Sequence, residues 1–160
     1  MKIYKLRKAK IEDSPSILRL IKELAEFENE SNSVKLKVED IKQDGFGFEP
    51  KFSCFVVEAS DIIVGIALYY PRYSTWEGST LHLEDLIVSQ NYRGKGIGKQ
   101  LYSSFIKEAI ALGMNRAEWA VLNWNEKAIK FYKNTGANIL NDWRTVQISK
   151  KQMLKFIKTI

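Results

Sequence analysis

The stretch SQNYRGKGIGKQLY, residues 89–102, places three glycines and three cationic side chains between Arg93 and Lys99. A β-rich segment precedes it (TLHLEDLIV, 80–88), and apolar residues at helical spacing follow it as far as Gly113. This order predicts a strand, a glycine loop and a helix. Such a loop presents backbone N–H groups at the positive end of the helix dipole, which favours a bound phosphate or pyrophosphate.

Glycine spacing separates the known phosphate-binding loops. A Walker loop needs four residues between its first glycine and Gly-Lys, and neither Gly94-Lys95 nor Gly98-Lys99 has a glycine so placed. The dinucleotide fingerprint needs a different spacing from the alternating glycines at 94, 96 and 98. The pattern Arg-x-x-Gly-x-Gly, residues 93–98, resembles the acetyl-CoA signature of the GNAT acetyltransferase superfamily. The alternative is a glycine-rich surface turn flanked by solubilising lysines.

The resemblance extends from about Tyr4 to near the C terminus in one register. Its segments are similar to those of the diamine (spermidine/spermine) N-acetyltransferase branch, which includes thialysine acetyltransferases. They are ILRLIKELAEFE (17–28), DGFG (44–47), LEDLIVSQNYRGKGIGKQL (83–101), NWNEKAIKFYKNTGA (123–137) and a late WR (143–144). The resemblance implies the GNAT fold of the α/β (α+β) class, with a mixed, mostly antiparallel central sheet and helices on both faces.

Hydrophobic periodicity predicts the other elements. The predicted helices are DSPSILRLIKELAEFENE (13–30), KVEDIKQDGFG (37–47, ended by Gly45), NEKAIKFYKNTG (125–136) and KKQMLKFI (150–157). The predicted strands are FSCFVVEA (52–59), IIVGIALYY (62–70), RAEWAVL (116–122) and WRTVQI (143–148), with a tight turn near Ser60-Asp61. Helices therefore come first, then adjacent strands, then alternating helix and strand.

Length and charge narrow the class of protein. A chain of 160 residues has the size of one domain, which we expect to span residues 1–160. The net charge of +6 indicates an anionic partner, although the lysines are spread along the chain as on a solvated surface. We expect a cytoplasmic protein with no membrane partner, because neither a membrane-spanning run nor a secretory signal is visible. Cys54, the only cysteine, excludes an internal disulfide.

Acetyl transfer to an alkyl amine requires a neutral nitrogen, yet such amines are protonated at neutral pH. Glu84, on the strand before the loop, matches the substrate-contacting glutamate of the family in LEDL and is the expected proton acceptor, directly or through a water. Asp85 is adjacent and would point to the other face of a regular strand. His82, the only histidine, shares the face of Glu84, but no metal-ligand set accompanies it. The alternative is that these acids are surface residues or lysine partners.

The leaving thiolate needs a proton, which a phenol can supply. Tyr132, in KAIKFYKNTG, matches the general acid of the family, although the pattern alone favours an aromatic residue packed in the core. The backbone of Leu86 to Val88 would bind the pantetheine and polarise the thioester carbonyl, as in relatives. The residues that the resemblance assigns to the coenzyme are Leu86, Ile87, Val88, Arg93, Gly94, Lys95, Gly96, Ile97, Gly98, Lys99, Asn125, Lys127, Ala128 and Tyr132.

Aromatic and acidic side chains suit a cationic amine through cation–π contact and ion pairing. The substrate-binding candidates matched to the family are Phe27, Glu28, Trp76, Glu84, Asp85, Glu118, Trp119 and Asp142. The resemblance thus implies an N-acetyltransferase that uses acetyl-CoA and no metal, acting as a homodimer on a primary amine of a small diamine or polyamine. The acetyl group would move by direct attack in a ternary complex.

Two other functions remain open. Thialysine or a related amino acid is the alternative substrate, because its carboxylate would suit the surplus positive charge. A basic nucleic-acid-binding module, with the glycine loop on backbone phosphate, is the alternative from another class. The chain lacks the concentrated basic helix or aromatic-studded RNA motif that such a module uses, so we expect no nucleic acid partner.

Overall fold

The computed structural model describes residues 4–159, and a five-stranded mixed sheet lies at its centre. The strands are β1 (Lys5–Lys8), β2 (Ser53–Ala59), β3 (Ile62–Ser74), β4 (Gly78–Val88) and β5 (Arg116–Glu118). They lie side by side in chain order. Neighbours are antiparallel except β4 and β5, which are parallel. The predicted mixed, mostly antiparallel sheet is confirmed.

The helices divide between two compact units of the chain. They are α1 (Ser14–Phe27), α2 (Val38–Phe46), α3 (Ile97–Ala111), α4 (Glu126–Lys133) and α5 (Lys150–Ile157). One unit ends at Ala120 and holds the sheet with α1, α2 and α3, and the other begins at Val121 and holds α4 and α5. The single domain over residues 1–160 stays a prediction.

One face of the sheet is covered by α1 and α2. Apolar side chains at helical spacing on α1 meet alternate residues of the strands, as the amphipathic pattern predicts. The buried members are Ile17, Leu18, Leu20, Ile41, Cys54, Val56, Ile63, Ile66, Leu68 and Ile87. Each fully buried aliphatic side chain stabilises the fold by roughly 1.5–3 kcal/mol, so this core holds α1 against β3 and β4.

The opposite face is covered by α3. The ring of Tyr69 lies between Phe55 and Phe105, at centroid distances of 5.4 and 5.8 Å. Gly65 on β3 admits the helix closely, because a Cβ at that position would lie 3.0 Å from a methyl group of Leu101. The start of α3, and with it the glycine loop, is therefore held against β3 and β4, and helices cover both faces as predicted.

The sequence did not predict β1, whose four residues are mostly basic. Arg7 on this strand is the centre of an ion-pair group that we call the Arg7 cluster (Arg7, Asp13 and Glu58). Its guanidinium donates to both oxygens of Asp13, at 2.6 and 3.0 Å, and to Glu58 at 3.0 Å. Burial alone would raise the pKa of Asp13, but hydrogen bonds from Arg7 and the backbone of Lys10 lower it. These hydrogen bonds, together with the pairing to β2, stabilise residues 5–8 as a strand.

Two predicted strands differ from the structure. RAEWAVL was predicted as a strand over residues 116–122, but β5 ends at Glu118, where its pairing with His82 ends. WRTVQI, residues 143–148, forms no strand in the described structure. Alternating apolar residues indicate which side chains could share a face of a strand. They do not show whether a neighbouring strand is present to complete the backbone hydrogen bonds.

One predicted helix end was also wrong. Helix α2 runs through Gly45 to Phe46, with Gly47 at its C-cap. A Cβ on Gly45 would lie 2.6 Å from the ring of Phe52. That glycine therefore permits close packing rather than ending the helix. The tight turn at Ser60-Asp61 is confirmed, since both residues have the positive φ values, 51° and 63°, of a two-residue hairpin turn.

Candidate active site

The glycine loop, residues 93–98, joins β4 to α3 as the sequence predicted. Gly94 and Gly96 have φ values of +75° and +80°, which residues other than glycine rarely adopt. A Cβ on either would meet nothing within 4 Å, so conformation and not crowding requires glycine there. Gly96 is the N-cap of α3 and has no side chain with which to cap it. The N–H groups of the first turn are therefore left for an anionic ligand.

Two cationic side chains brace this loop. Arg93 donates from Nε to the carbonyl oxygen of Val88 at 2.9 Å, and its guanidinium carbon lies 5.2 Å from the ring centroid of Phe27. Lys95 donates to the carbonyl oxygen of Asn91 at 2.7 Å. Lys99, one turn into α3, is exposed. The structure thus brings Phe27, a substrate candidate at the end of α1, next to the predicted coenzyme loop.

The strand before the loop has an open edge. The parallel ladder between β4 and β5 covers Thr80 to His82, whereas β4 continues to Val88. Leu86, Ile87 and Val88 pair on their other side with β3. Within the described residues, the β5-facing edge past His82 is thus outside that ladder, and such an edge presents N–H and C=O groups to a ligand.

A bulge in β4 brings adjacent acids to one face. The register with β3 steps from Leu68–Asp85 to Tyr69–Leu83, so Glu84 is an extra residue without a cross-strand partner. Asp85 therefore shares the face of Leu68, and Glu84 hydrogen-bonds Tyr70 on that same face. The expectation that Asp85 points away from Glu84 was wrong, because a bulge resets the alternation of side chains.

Glu28, at the end of α1, completes a group that we call the acidic face (Glu28, Glu84 and Asp85). Burial, followed by the charges of Glu84 and Glu28, raises the pKa of Asp85 to about 6. Burial and the charge of Glu30 raise the pKa of Glu28 as well. Glu84 stays accessible, with 51% of its side chain exposed. A cationic ligand would relieve this repulsion, which makes the acidic face a suitable place for an amine.

Three other substrate candidates have different surroundings. Glu118 is paired with two arginines, at 2.7 Å from Arg72 and 2.8 Å from Arg116. Trp119 packs edge-on against Tyr102 at 5.4 Å and belongs to the aromatic core under α3. Trp76 lies in the turn between β3 and β4 and is 81% exposed. The substrate roles of these three residues stay predictions.

The second unit holds the remaining candidates. The side-chain oxygen of Asn125 accepts from the backbone N–H of Ala128 at 3.2 Å, so this asparagine caps α4. Lys127 follows on the same helix. Tyr132 is buried, with its ring 5.3 Å from that of Phe131. Asp142 is exposed, outside any helix or strand. The coenzyme and general-acid roles of these residues stay predictions.

Sequence reasoning missed Tyr70. Its hydroxyl donates a 2.6 Å hydrogen bond to Glu84, and Oε2 of Glu84 lies 3.6 Å from Nε2 of His82. Burial, then the hydrogen bond and charge of Glu84, raise the pKa of Tyr70 to about 12. The YY pair at 69–70 gave no usable signal, because the contact depends on how β3 and β4 pair.

The described part of the chain has neither a candidate metal centre nor a membrane-spanning helix. Residues 4–159 contain no group of three His, Cys, Asp or Glu side chains able to hold a metal ion. Over the same residues, every helix is too short or too polar to cross a bilayer.

Comparisons with known proteins identify the family of the chain. The Acetyltransferase (GNAT) family model matches residues 17–137. The chain is 40% identical over 146 residues to thialysine N-epsilon-acetyltransferase of Mus musculus, covering 86% of each protein. It is 36% identical over 164 residues to spermidine/spermine N(1)-acetyltransferase-like protein 1 of Homo sapiens, covering 96% of this chain and 24% of the human protein.

A solved structure shows the same fold. The integron cassette protein from the mobile metagenome of V. cholerae superposes with a TM-score of 0.78 at 21% identity, covering 97% of this chain and 98% of that one. The chain belongs to the GNAT acetyltransferase family and is an N-acetyltransferase whose curated relatives match the diamine and thialysine branch predicted from its sequence.

Proposed function

We propose that the protein transfers an acetyl group from acetyl-CoA to a primary amine of a small diamine or polyamine, by direct attack in a ternary complex. One observation carries this proposal. A bulge places Glu84 and Asp85 on one face beside Glu28, directly before a loop built to bind an anion. Family membership favours this enzyme over the nucleic-acid-binding module considered from the net charge.

The loop and the β4 edge fit the coenzyme. The left-handed glycines Gly94 and Gly96 have free space beside them, which admits a diphosphate to the N–H groups at the start of α3. The open edge at Leu86 to Val88 suits an extended arm that carries amide groups. Acetyl-CoA supplies an activated acetyl thioester. Asn125, Lys127 and Ala128 on α4 are proposed further contacts, from the family resemblance.

The acidic face fits the amine. Glu84 is accessible and accepts the proton that the ammonium must lose, while Asp85 and Glu28 attract the second positive charge of a diamine. Tyr132 donates a proton to the leaving thiolate. A covalent acyl-enzyme on Cys54 is disfavoured, because this thiol is 4% exposed and burial raises its pKa.

Thialysine is a second candidate amine, favoured by the name of the mouse relative. Each candidate carries a primary amine, and they differ in that thialysine adds a carboxylate. The acidic face would repel that carboxylate unless a cationic side chain offset it. Comparing spermidine, putrescine and thialysine by kcat/KM separates a diamine site from an amino-acid site.

The test is thiol release from acetyl-CoA with that amine panel, for the parent protein and for Glu84→Gln and Tyr132→Phe. Each substitution lowers kcat/KM by about 100-fold if the side chain moves a proton in the transition state. Glu39→Gln, on the exposed surface of α2, and Tyr73→Phe, on β3, are the matched controls. Parent-like rates in both site variants would refute the assignment.

The assembly and the location of the protein are proposals drawn from the resemblance and the sequence. We propose a homodimer, a cytoplasmic location and a single cooperative domain over residues 1–160. Light scattering after size-exclusion chromatography measures the mass in solution. One thermal transition by calorimetry would support a single domain, and two would contradict it.

A further inference from the structure

The proposed reaction makes no use of Tyr70 or His82, which flank Glu84. Tyr70 on β3 and His82 on β4 are cross-strand partners, so their side chains leave the same face of the sheet. Their ring centroids lie 5.2 Å apart, with an angle of 34° between the planes. Each ring therefore restricts the rotation of the other.

Glu84 depends on this ring pair for its orientation. As the extra residue of a bulge it has no cross-strand partner, and half of its side chain is exposed. The Tyr70 hydroxyl donates to Oε2 of Glu84 at 2.6 Å, and His82 Nε2 lies 3.6 Å from the same oxygen. A carboxylate on a flexible, half-exposed side chain is thereby held at one oxygen.

Glu118 lies on the side of His82 that faces away from Glu84. Nδ1 of His82 is buried, lies 3.8 Å from Glu118, and has no hydrogen-bond partner among the described residues. Glu118 in turn is clamped by Arg72 and Arg116. A continuous series of contacts thus runs from β5 across β4 to the ring of Tyr70.

We propose that Tyr70 is a positioning residue for Glu84: its hydroxyl fixes the orientation of the carboxylate that accepts the amine proton. The proposal rests on the proposed function, because the orientation of Glu84 matters to the rate only if Glu84 accepts that proton. The raised pKa of Tyr70, about 12, keeps the hydroxyl a donor throughout the neutral range.

Other charged and titratable groups surround this carboxylate and are unchanged in a Tyr70 variant. They are His82 and Asp85 on β4, Arg72 on β3, Glu118 on β5 and Glu28 at the end of α1. A difference in kcat between the parent and Tyr70→Phe therefore reports the lost hydroxyl.

The test is a double-mutant cycle of Tyr70→Phe and Glu84→Gln, with kcat/KM for spermidine, or for thialysine if it reacts faster, measured across the neutral range. We expect Tyr70→Phe to lower kcat/KM about 3- to 10-fold near neutral pH, a modest effect because Glu84 is half exposed. The loss falls on kcat rather than on KM, because the hydroxyl orients the proton acceptor and does not itself bind the amine. In the Glu84→Gln background the same change has less than about a twofold effect.

Tyr73→Phe is the matched control, since it removes a hydroxyl from the same strand at a position that is 74% exposed. Its rate and profile should match the parent, and thermal unfolding of Tyr70→Phe reports whether that variant is folded. If Glu84→Gln keeps the parent rate, Glu84 is not the proton acceptor, and that part of the proposed function fails together with the role of Tyr70. If Glu84→Gln is slow but Tyr70→Phe is unchanged, or is equally harmful in both backgrounds, the positioning role is overturned and the proposed function stands.

Discussion

The Arg7 cluster and the acidic face are two groups of carboxylates in one sheet unit, and their surroundings have opposite effects. In the Arg7 cluster a guanidinium lies between Asp13 and Glu58, and its hydrogen bonds help to lower the pKa of Asp13 despite burial. On the acidic face, burial and neighbouring carboxylates raise the pKa of Asp85 to about 6. One group is complete without a ligand, whereas the other gains from a cation.

Removing the accessible acid should have the largest effect. Glu84→Gln is expected to lower kcat/KM about 100-fold or more, because an amide cannot accept the amine proton. Glu58→Gln, the same change in the Arg7 cluster, should leave kcat/KM within about twofold and lower the melting temperature instead. Equal losses of activity in both variants would erase the functional distinction between the two groups.

Removing the guanidinium of Arg7 should have the largest effect on stability. Arg7→Met leaves Asp13 and Glu58 partly buried without their partner, and the free energy of unfolding should fall by about 2–4 kcal/mol. Urea unfolding at neutral pH measures this, with Lys42→Met on the exposed surface of α2 as control. A loss as small as that of the control would show that the Arg7 cluster makes no net contribution to the free energy of unfolding.

Neutralising Asp85 should stabilise the protein. The pKa of this group rises from 3.8 unfolded to about 6 folded, so its ionisation opposes folding as pH increases through that window. Asp85→Asn should therefore raise the free energy of unfolding by about 2–3 kcal/mol above pH 6 and change it little below pH 4. Urea unfolding at both pH values is the measurement, and a variant that is no more stable at neutral pH contradicts this account.

Neutralising Asp13 should have the opposite dependence on pH and a smaller effect on the free energy of unfolding. Its folded pKa is lowered, so its stabilisation is present above the unfolded pKa and is lost as pH falls through the folded one. Asp13→Asn should reduce the free energy of unfolding by about 1–2 kcal/mol at neutral pH. The deficit should shrink as the solution becomes strongly acidic, which the same pH series of urea curves tests.

Much of the site could be predicted from local sequence. The strand, loop and helix around residues 93–98 followed from glycine spacing and periodicity, because left-handed backbone and helix caps depend on a few adjacent residues. The assignment of Glu84 and Asp85 to a substrate site came from LEDL. The sequence did not predict that these two acids share a face, because a bulge arises from the register between β3 and β4.

The errors have the same origin. β1 is held by Glu58 and Asp13, which lie elsewhere in the chain, and its four residues carry little signal of their own. Gly45 looked like a helix end, yet it admits the ring of Phe52. Each depends on a neighbour that periodicity does not name.

The amino-acid sequence by itself determined the family, the order of most elements and the loop that suits an anion. Those properties depend on side-chain pattern and local backbone preference. Only the tertiary structure decided which carboxylates stand together, which one an arginine neutralises, and which tyrosine reaches Glu84. Strand register and burial set those distances, and charge interactions depend on distance and solvent exposure rather than on separation along the chain.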